Sequence, residues 1–215
     1  TGNSAWSSGY QYDANGNLTE KTDARGVVST YTYDGLNRNI SVTYSDGTMA
    51  IGRAYDQTTN GKGRLSWQWQ CANANDCRSL TSFNYDAMGR IANRHQHFWI
   101  NGNWGPPYSV YRAYDLAGNV TSQTYPSGHT VSYSYDSAGR TSSFSGNLGD
   151  GVQRTYSSAT TYSPWGSLTM ERFGTQTALY HKRQYNIRGQ LWDVRVATGA
   201  DVNGSWNRGA LQFFY

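Results

Sequence analysis

Hydrophobic and polar positions alternate along this chain in short runs, and no apolar stretch exceeds three or four residues. Tyr10 and Tyr12, Tyr31 and Tyr33, and Tyr133 and Tyr135 each stand two apart around a polar residue. A period of two puts both rings of a pair on one face of an extended strand. Runs such as Leu18 to Thr22 and Val27 to Tyr33 carry the same signal, and clusters of Gly, Asn, Asp and Ser separate them. The pattern predicts strands of about six residues, ~20 Å long, joined by turns. It offers no stretch long enough for a transmembrane helix.

The pairs belong to a longer phrase. Tyr-Asp recurs at Tyr12-Asp13, Tyr33-Asp34, Tyr55-Asp56, Tyr85-Asp86, Tyr114-Asp115 and Tyr135-Asp136, and Tyr162-Ser163 and Tyr185-Asn186 continue the series. The spacing averages about 25 residues, which makes Tyr215 the tyrosine of a ninth unit. Three residues after the Asp position stands Gly16, Asn37, Gly89, Gly118, Gly139, Gly166 or Gly189. Asn, Arg, Ser or Gln follows, then usually an aliphatic such as Leu18, Ile91, Val120, Leu168 or Leu191. Asn39 and Thr141 break that last step, and the third unit fits only through an insertion ending at Gly63-Arg64-Leu65.

Gly or Asn at one fixed offset marks a positive φ, which Gly reaches freely and Asn tolerates. The Asp, Ser or Asn ahead of it is suited to bond the backbone two residues on. A second set of turns falls at Gly26, Gly47, Gly128 and Gly149. Each unit therefore reads strand, turn, strand, turn. The expected fold is all-β: an antiparallel meander of about sixteen short strands in eight units. These begin near residues 10, 31, 53, 83, 112, 133, 160 and 183 of a single array over 1–215. Aligned tyrosines should form cross-strand aromatic ladders. Arg53, Arg112 and Arg183 replace the first aromatic in three units, and an Arg there could lie over a neighbouring Tyr face.

Composition sharpens this picture. The 215 residues include 24 Gly, 18 Tyr and 8 Trp, and only 15% are charged, against the usual ~25%. Glu and Lys are scarce while Tyr, Trp, Thr, Val and Gly abound, which argues against a helical domain. Low charge with many aromatics argues against disorder despite a mean hydropathy of -0.74. The net charge of +4 is mild and the arginines are spread singly, so no basic stripe suits a nucleic-acid backbone. The chain starts without an initiator Met or a signal-like apolar run and stops at Phe213-Phe214-Tyr215. Both ends are expected to be truncations of a longer protein.

The phrase Tyr-Asp-x-x-Gly-Asn/Arg-Leu-Thr resembles the YD repeat, also called the RHS (rearrangement hotspot) repeat. Residues 12–19, 85–91 and 114–121 match it closely, and the resemblance covers the chain in eight units, two of them degenerate. It implies a long antiparallel sheet, curved or spiralling into part of a hollow β-shell. Members of that family enclose a C-terminal toxin or effector polypeptide, and similar repeats occur in Tc toxin complexes and teneurins. Bacterial members are typically secreted or surface-associated. Their self-cleaving core carries Asp-Pro sequences, and none of the four prolines here follows an Asp. The resemblance thus implies a non-catalytic length of shell wall whose partners are the rest of its parent chain and an enclosed cargo.

Cys71 and Cys77 flank the tip of an extended hairpin, and a disulfide between them would imply an oxidising compartment, secreted or cell-surface. With no second Cys pair, zinc is not expected. His95 and His97 share a strand face and could chelate a metal, but an exposed hairpin strand explains them better. His129 and His181 have no carboxylate partner evident in the sequence. The phrase aspartates are accounted for by turn chemistry, and no nucleophile elbow or phosphate loop occurs, so neither catalysis nor a cofactor is expected. Sequons stand at Asn17, Asn39, Asn119 and Asn203. Trp99, Trp104 and Tyr108 surround an Asn-Gly-Asn turn in the most unusual stretch, and Trp67 and Trp69 lie on one face of the preceding hairpin. They suit packing of an outsized hairpin, with the two segments meeting. The alternative is a carbohydrate- or protein-binding surface. Sheet edges left by truncation would favour self-association.

Overall fold

The computed structural model describes residues 9–73, 76–174, 177–201, 204 and 206–215, and among these it is entirely strand and turn. The chain divides into two compact units, Thr1–Val110 and Tyr111–Tyr215, with the division inside one strand. The first unit holds β1 (Tyr10–Tyr12), β2 (Leu18–Thr22), β3 (Val28–Tyr33), β4 (Asn39–Tyr44), β5 (Ala50–Tyr55), β6 (Leu65–Asn73), β7 (Asp76–Tyr85), β8 (Ile91–Ile100) and β9 (Asn103–Trp104). The boundary strand is β10 (Tyr108–Tyr114). The second unit continues with β11 (Val120–Thr124), β12 (His129–Tyr135), β13 (Thr141–Leu148), β14 (Arg154–Tyr162), β15 (Leu168–Phe173), β16 (Leu179–Tyr185), β17 (Leu191–Ala197) and β18 (Gly209–Gln212).

In the first unit each strand from β1 to β9 pairs antiparallel with its neighbours in the chain. The second unit repeats this from β10 to β18. Two strands exceed the expected sixteen. β9 arises because Asn101 and Gly102, at φ 50° and 79°, fold the stretch after Ile100 into a two-residue hairpin turn. β18 is the first strand of the ninth unit that Tyr215 announces.

Every phrase tyrosine sits beside a shift of register. Tyr12 pairs with Leu18 while Gln11 pairs with Glu20, so Thr19 is an extra residue on the outgoing strand. Ile40, Ser66, Ala92, Thr121, Ser142, Thr169 and Trp192 occupy the same bulged position in the other seven units. Bulges bend a strand and raise its local twist, so a bulge per unit is a regular curvature device.

The sheet buries little apolar surface completely. Among the described residues Val42, Cys77, Val131 and Ala197 are the buried hydrophobic side chains, and most strand positions are half-buried. A chain with so few aliphatics must use amphipathic rings instead, and the phrase tyrosines from Tyr33 to Tyr185 are all half-buried.

Candidate functional site

The repeated turn is built from its first residue. Asp13 donates its N–H to Asn17 O, and Gly16 donates its N–H to Asp13 O. Asp13 Oδ1 accepts from the backbone N–H groups of Asn15 and Asn17 at 2.9 and 2.8 Å. Its second oxygen takes the Asn17 side-chain amide at 2.8 Å. Asp34, Asp86 and Asp136 repeat the pattern, with Arg38, Arg90 and Arg140 at the second oxygen. Asp115 is paired likewise with Asn119. The turn closes only if the fourth residue reaches the left-handed region. Gly16, Asn37, Gly63, Gly89, Gly118, Gly139, Gly166 and Gly189 all have φ between 59° and 94°.

These bonds favour the ionised carboxylate. The Asn17 side chain holds Asp13 below the usual carboxylate range. The arginine guanidinium does the same for Asp34, Asp56 and Asp136, and the Arg90 backbone N–H for Asp86. In the degenerate units Asn186 Oδ1 accepts the backbone N–H groups two and four residues on, and Ser163 Oγ accepts the one four residues on. Asp56 absorbs the insertion of the third unit. It adopts φ 68°, donates its N–H to Arg64 O, and accepts the Gly63 N–H on its carboxylate.

The tyrosine joins one unit to the next. Pairing of the outgoing strand with the following strand begins past the bulge, at Glu20 in the first repeat, and so leaves the Leu18 carbonyl without a strand partner on that side. Tyr33 Oη donates to Leu18 O at 2.8 Å. The same rung recurs from Tyr55 to Asn39 O, Tyr85 to Leu65 O, Tyr135 to Val120 O, Tyr162 to Thr141 O, Tyr185 to Leu168 O and Tyr215 to Leu191 O. Asn39 and Thr141, the two breaks in the aliphatic step, do no harm because only their carbonyls are used. Burial pushes the Tyr85 and Tyr135 phenols up.

The aromatic expectation holds only in part. The rung tyrosines direct their hydroxyls to backbone oxygens, and at Tyr55, Tyr85 and Tyr162 the ring is met by a cation from the previous turn. Arg38 lies over Tyr55, Arg64 over Tyr85 and Arg140 over Tyr162, at 4.5, 5.6 and 4.5 Å. Arg53, Arg112 and Arg183 instead bond Gln68, Gln123 and Glu171 across the sheet. Ring-to-ring contact concentrates in the second unit, where Tyr133, Phe144, Tyr156, His129 and Tyr125 touch in succession.

The remaining candidates find ordinary partners. Cys71 and Cys77 are joined in a disulfide across the β6–β7 hairpin. His95 Nδ1 meets Ser109 Oγ at 2.7 Å and His97 Nδ1 meets Gly105 O at 3.0 Å. Among the described residues no three His, Cys, Asp or Glu side chains gather as a metal site. His181 does have a carboxylate partner: Glu171, opposite it on β15, lies 3.4 Å from its Nδ1. The sequence separation of ten residues hid this pairing. Trp99 and Trp104 meet edge-on at 5.0 Å, as do Phe98 and Tyr108 at 5.7 Å, so this hairpin packs on itself. Trp69 covers Gly52 on β5, and a Cβ there would fall 2.1 Å from the indole. Trp67 is partly exposed. The Asn17, Asn39 and Asn119 amides donate hydrogen bonds, and Asn203 lies outside the described residues.

One feature had no sequence signal beyond the period-two spacing of Asp193 and Arg195. Lys182 and Asp193 are fully buried on neighbouring strands. Arg195 Nε approaches Asp193 at 2.6 Å, a charge contact without hydrogen-bond alignment, and Lys182 Nζ donates to Asp201 O.

The geometry defines an antiparallel repeat array with recurring tyrosine rungs and a side-chain-anchored turn in each repeat. The chain carries RHS repeats: residues 12–49 and 114–143, one segment in each unit, match the RHS Repeat family model. Among curated proteins nothing matches the chain. Solved structures agree in fold. The crystal structure of TcdB2-TccC3-Cdc42 matches over 87% of this chain at 16% identity with a TM-score of 0.73. That of TcdB2-TccC3 without its hypervariable C-terminal region matches over 87% at 17% identity, also with 0.73. The Tc holotoxin pore of Photorhabdus luminescens matches over 90% at 15% identity with 0.55. The chain spans 10 to 11% of the length of those chains. Among the described residues no helix is long and apolar enough to cross a membrane.

Proposed function

We propose that this chain is a length of wall in a larger RHS-repeat shell, a scaffold that performs no bond chemistry and encloses or presents a C-terminal polypeptide of its parent. The observation that carries this reading is the tyrosine ladder. It links unit to unit through backbone carbonyls, so the wall extends without depending on the identity of any one neighbour. The fold shared with the TcdB2-TccC3 structures supports it, and the Cys71–Cys77 disulfide supports an extracellular or secreted setting. Such a wall acts by excluding proteases and solvent from what lies behind it.

The test is limited proteolysis of the parent protein. The polypeptide C-terminal to the shell should resist cleavage until Tyr85→Phe and Tyr135→Phe together, or denaturant, loosen the wall. Cleavage in the intact parent as fast as in the free polypeptide would overturn the reading. Unpaired edges of the array also predict a concentration-dependent mass in light scattering. A second reading, a carbohydrate- or protein-binding surface, draws on the exposure of Trp104 and Tyr108. A glycan array comparing the chain with Trp99→Ala and Trp104→Ala separates the two, because only a binding surface gives a sugar signal that these substitutions remove.

A further inference from the structure

We infer that Asn101 is a site of spontaneous covalent modification, converting to aspartate and isoaspartate and thereby opening the exposed aromatic hairpin of β8 and β9. Three described Asn-Gly pairs share the local chemistry: Asn15-Gly16, Asn60-Gly61 and Asn101-Gly102. In such a pair the Gly backbone nitrogen attacks the Asn side-chain carbonyl carbon. A carbon–nitrogen bond forms, the bond to the side-chain nitrogen breaks, and ammonia departs with the proton from the Gly N–H. Water then opens the cyclic imide at either carbonyl, giving aspartate, or isoaspartate with the backbone rerouted through the side chain.

The fold restrains two of the pairs at both reacting groups. Gly16 N–H is held by Asp13 O at 3.1 Å, and the Asn15 amide by Asn37 Oδ1 at 3.1 Å. Gly61 N–H is held by Thr58 O at 2.9 Å, and the Asn60 amide by Tyr85 O at 3.2 Å. At the third pair no hydrogen bond among the described residues holds either the Gly102 N–H or the Asn101 side chain, and both residues are exposed. Attack at Asn15 or Asn60 must first break two hydrogen bonds; attack at Asn101 breaks none.

The consequence is structural. Asn101-Gly102 forms a two-residue turn that sets Ile100 opposite Asn103 and brings Trp99 against Trp104. Isoaspartate inserts one more backbone carbon, which a two-residue hairpin turn cannot absorb in register. The tip also loses a neutral amide for a carboxylate.

The experiment ages the whole chain at neutral pH and maps its peptides by mass spectrometry. Conversion at Asn101 should run at least about tenfold faster than at Asn15 or Asn60. It should release ammonia and yield both isomers, and Trp emission should shift in step with isoaspartate. In denaturant the three rates should converge. Asn101→Asp, which keeps the two-residue turn, should retain the native emission, and Asn101→Gln should age without change. Faster conversion at Asn15 or Asn60, or the same ranking of sites in denaturant, would overturn the inference.

Discussion

The two units carry the same phrase four times each, yet they tie its copies together by different side chains. In the first unit, polar bridges run from turn to turn. Asn15 and Asn17 both donate to Asn37 Oδ1, Arg38 reaches Asp34 and Asp56 at 2.7 Å each, and Arg64 and Asn60 bond the Gly89 and Tyr85 carbonyls. The second unit has instead the ring cluster around His129 and the buried charges of Lys182 and Asp193, the latter met by Arg195. What the units share is the tyrosine rung, the positive-φ turn and the bulge. The shared parts act on backbone atoms and tolerate sequence drift. The differing parts need matched side-chain pairs, so each unit has its own.

Removal of one charge from each unit separates the two most strongly. Asp193→Ala should destabilise the second unit by about 3–5 kcal/mol, because it removes the fully buried counter-charge of Arg195. Arg38→Ala should cost the first unit much less, since its ion pairs are partly solvated and screened. Urea titrations followed by hydrogen exchange in each unit read both, and equal costs would remove the distinction.

Next come two glycines. A Cβ at Gly146 would fall 1.9 Å from the Thr130 backbone oxygen, while one at Gly52 meets only the Trp69 side chain. Both alanine variants should lose about 1–3 kcal/mol, with Gly146→Ala the costlier because a strand carbonyl must move. Reducing Cys71–Cys77 should lower stability by ~2 kcal/mol, with faster exchange confined to β6 and β7. Tyr85→Phe and Tyr135→Phe should each cost about 1 kcal/mol, and by equal amounts, because the rung is common to both units. Unequal losses would mean that the ladder is not the shared element.

The smallest effect per site is titration. The first unit anchors its turns with Asp13, Asp34, Asp56 and Asp86. The second has Asp115 and Asp136, with Ser163 and Asn186 in the other two. Each of these aspartates is held below its ordinary value. Their stabilisation is therefore complete above the unfolded carboxylate pKa, near ~4, and is lost as pH falls through the depressed folded values. Hydrogen exchange stepped downward from about pH 4 should loosen the first unit before the second. The reverse order would place the acid-sensitive contacts outside the phrase.

The phrase, its turns and the strands between them were legible because their causes are local. Asp bonds the N–H two and four residues on, Gly or Asn takes the left-handed turn, and a period of two sets the faces. The repetition of that local signal eight times made the all-β array plain. The acceptor of each tyrosine lies 15 to 24 residues back and depends on where strand pairing stops, so no short window contains it. The same holds for Arg38 reaching Asp56, Trp69 covering Gly52, His181 meeting Glu171, and Lys182 buried near Asp193. Each depends on the register of strands brought together by bulges.

By itself the sequence determined the repeat, the turn chemistry and the antiparallel class, because these follow from φ preferences and hydrogen bonds within a few residues. Only the tertiary structure decided what the tyrosines hold and which charges are buried. A bulge shifts each strand by one residue against its neighbour, and that shift selects the atoms that meet.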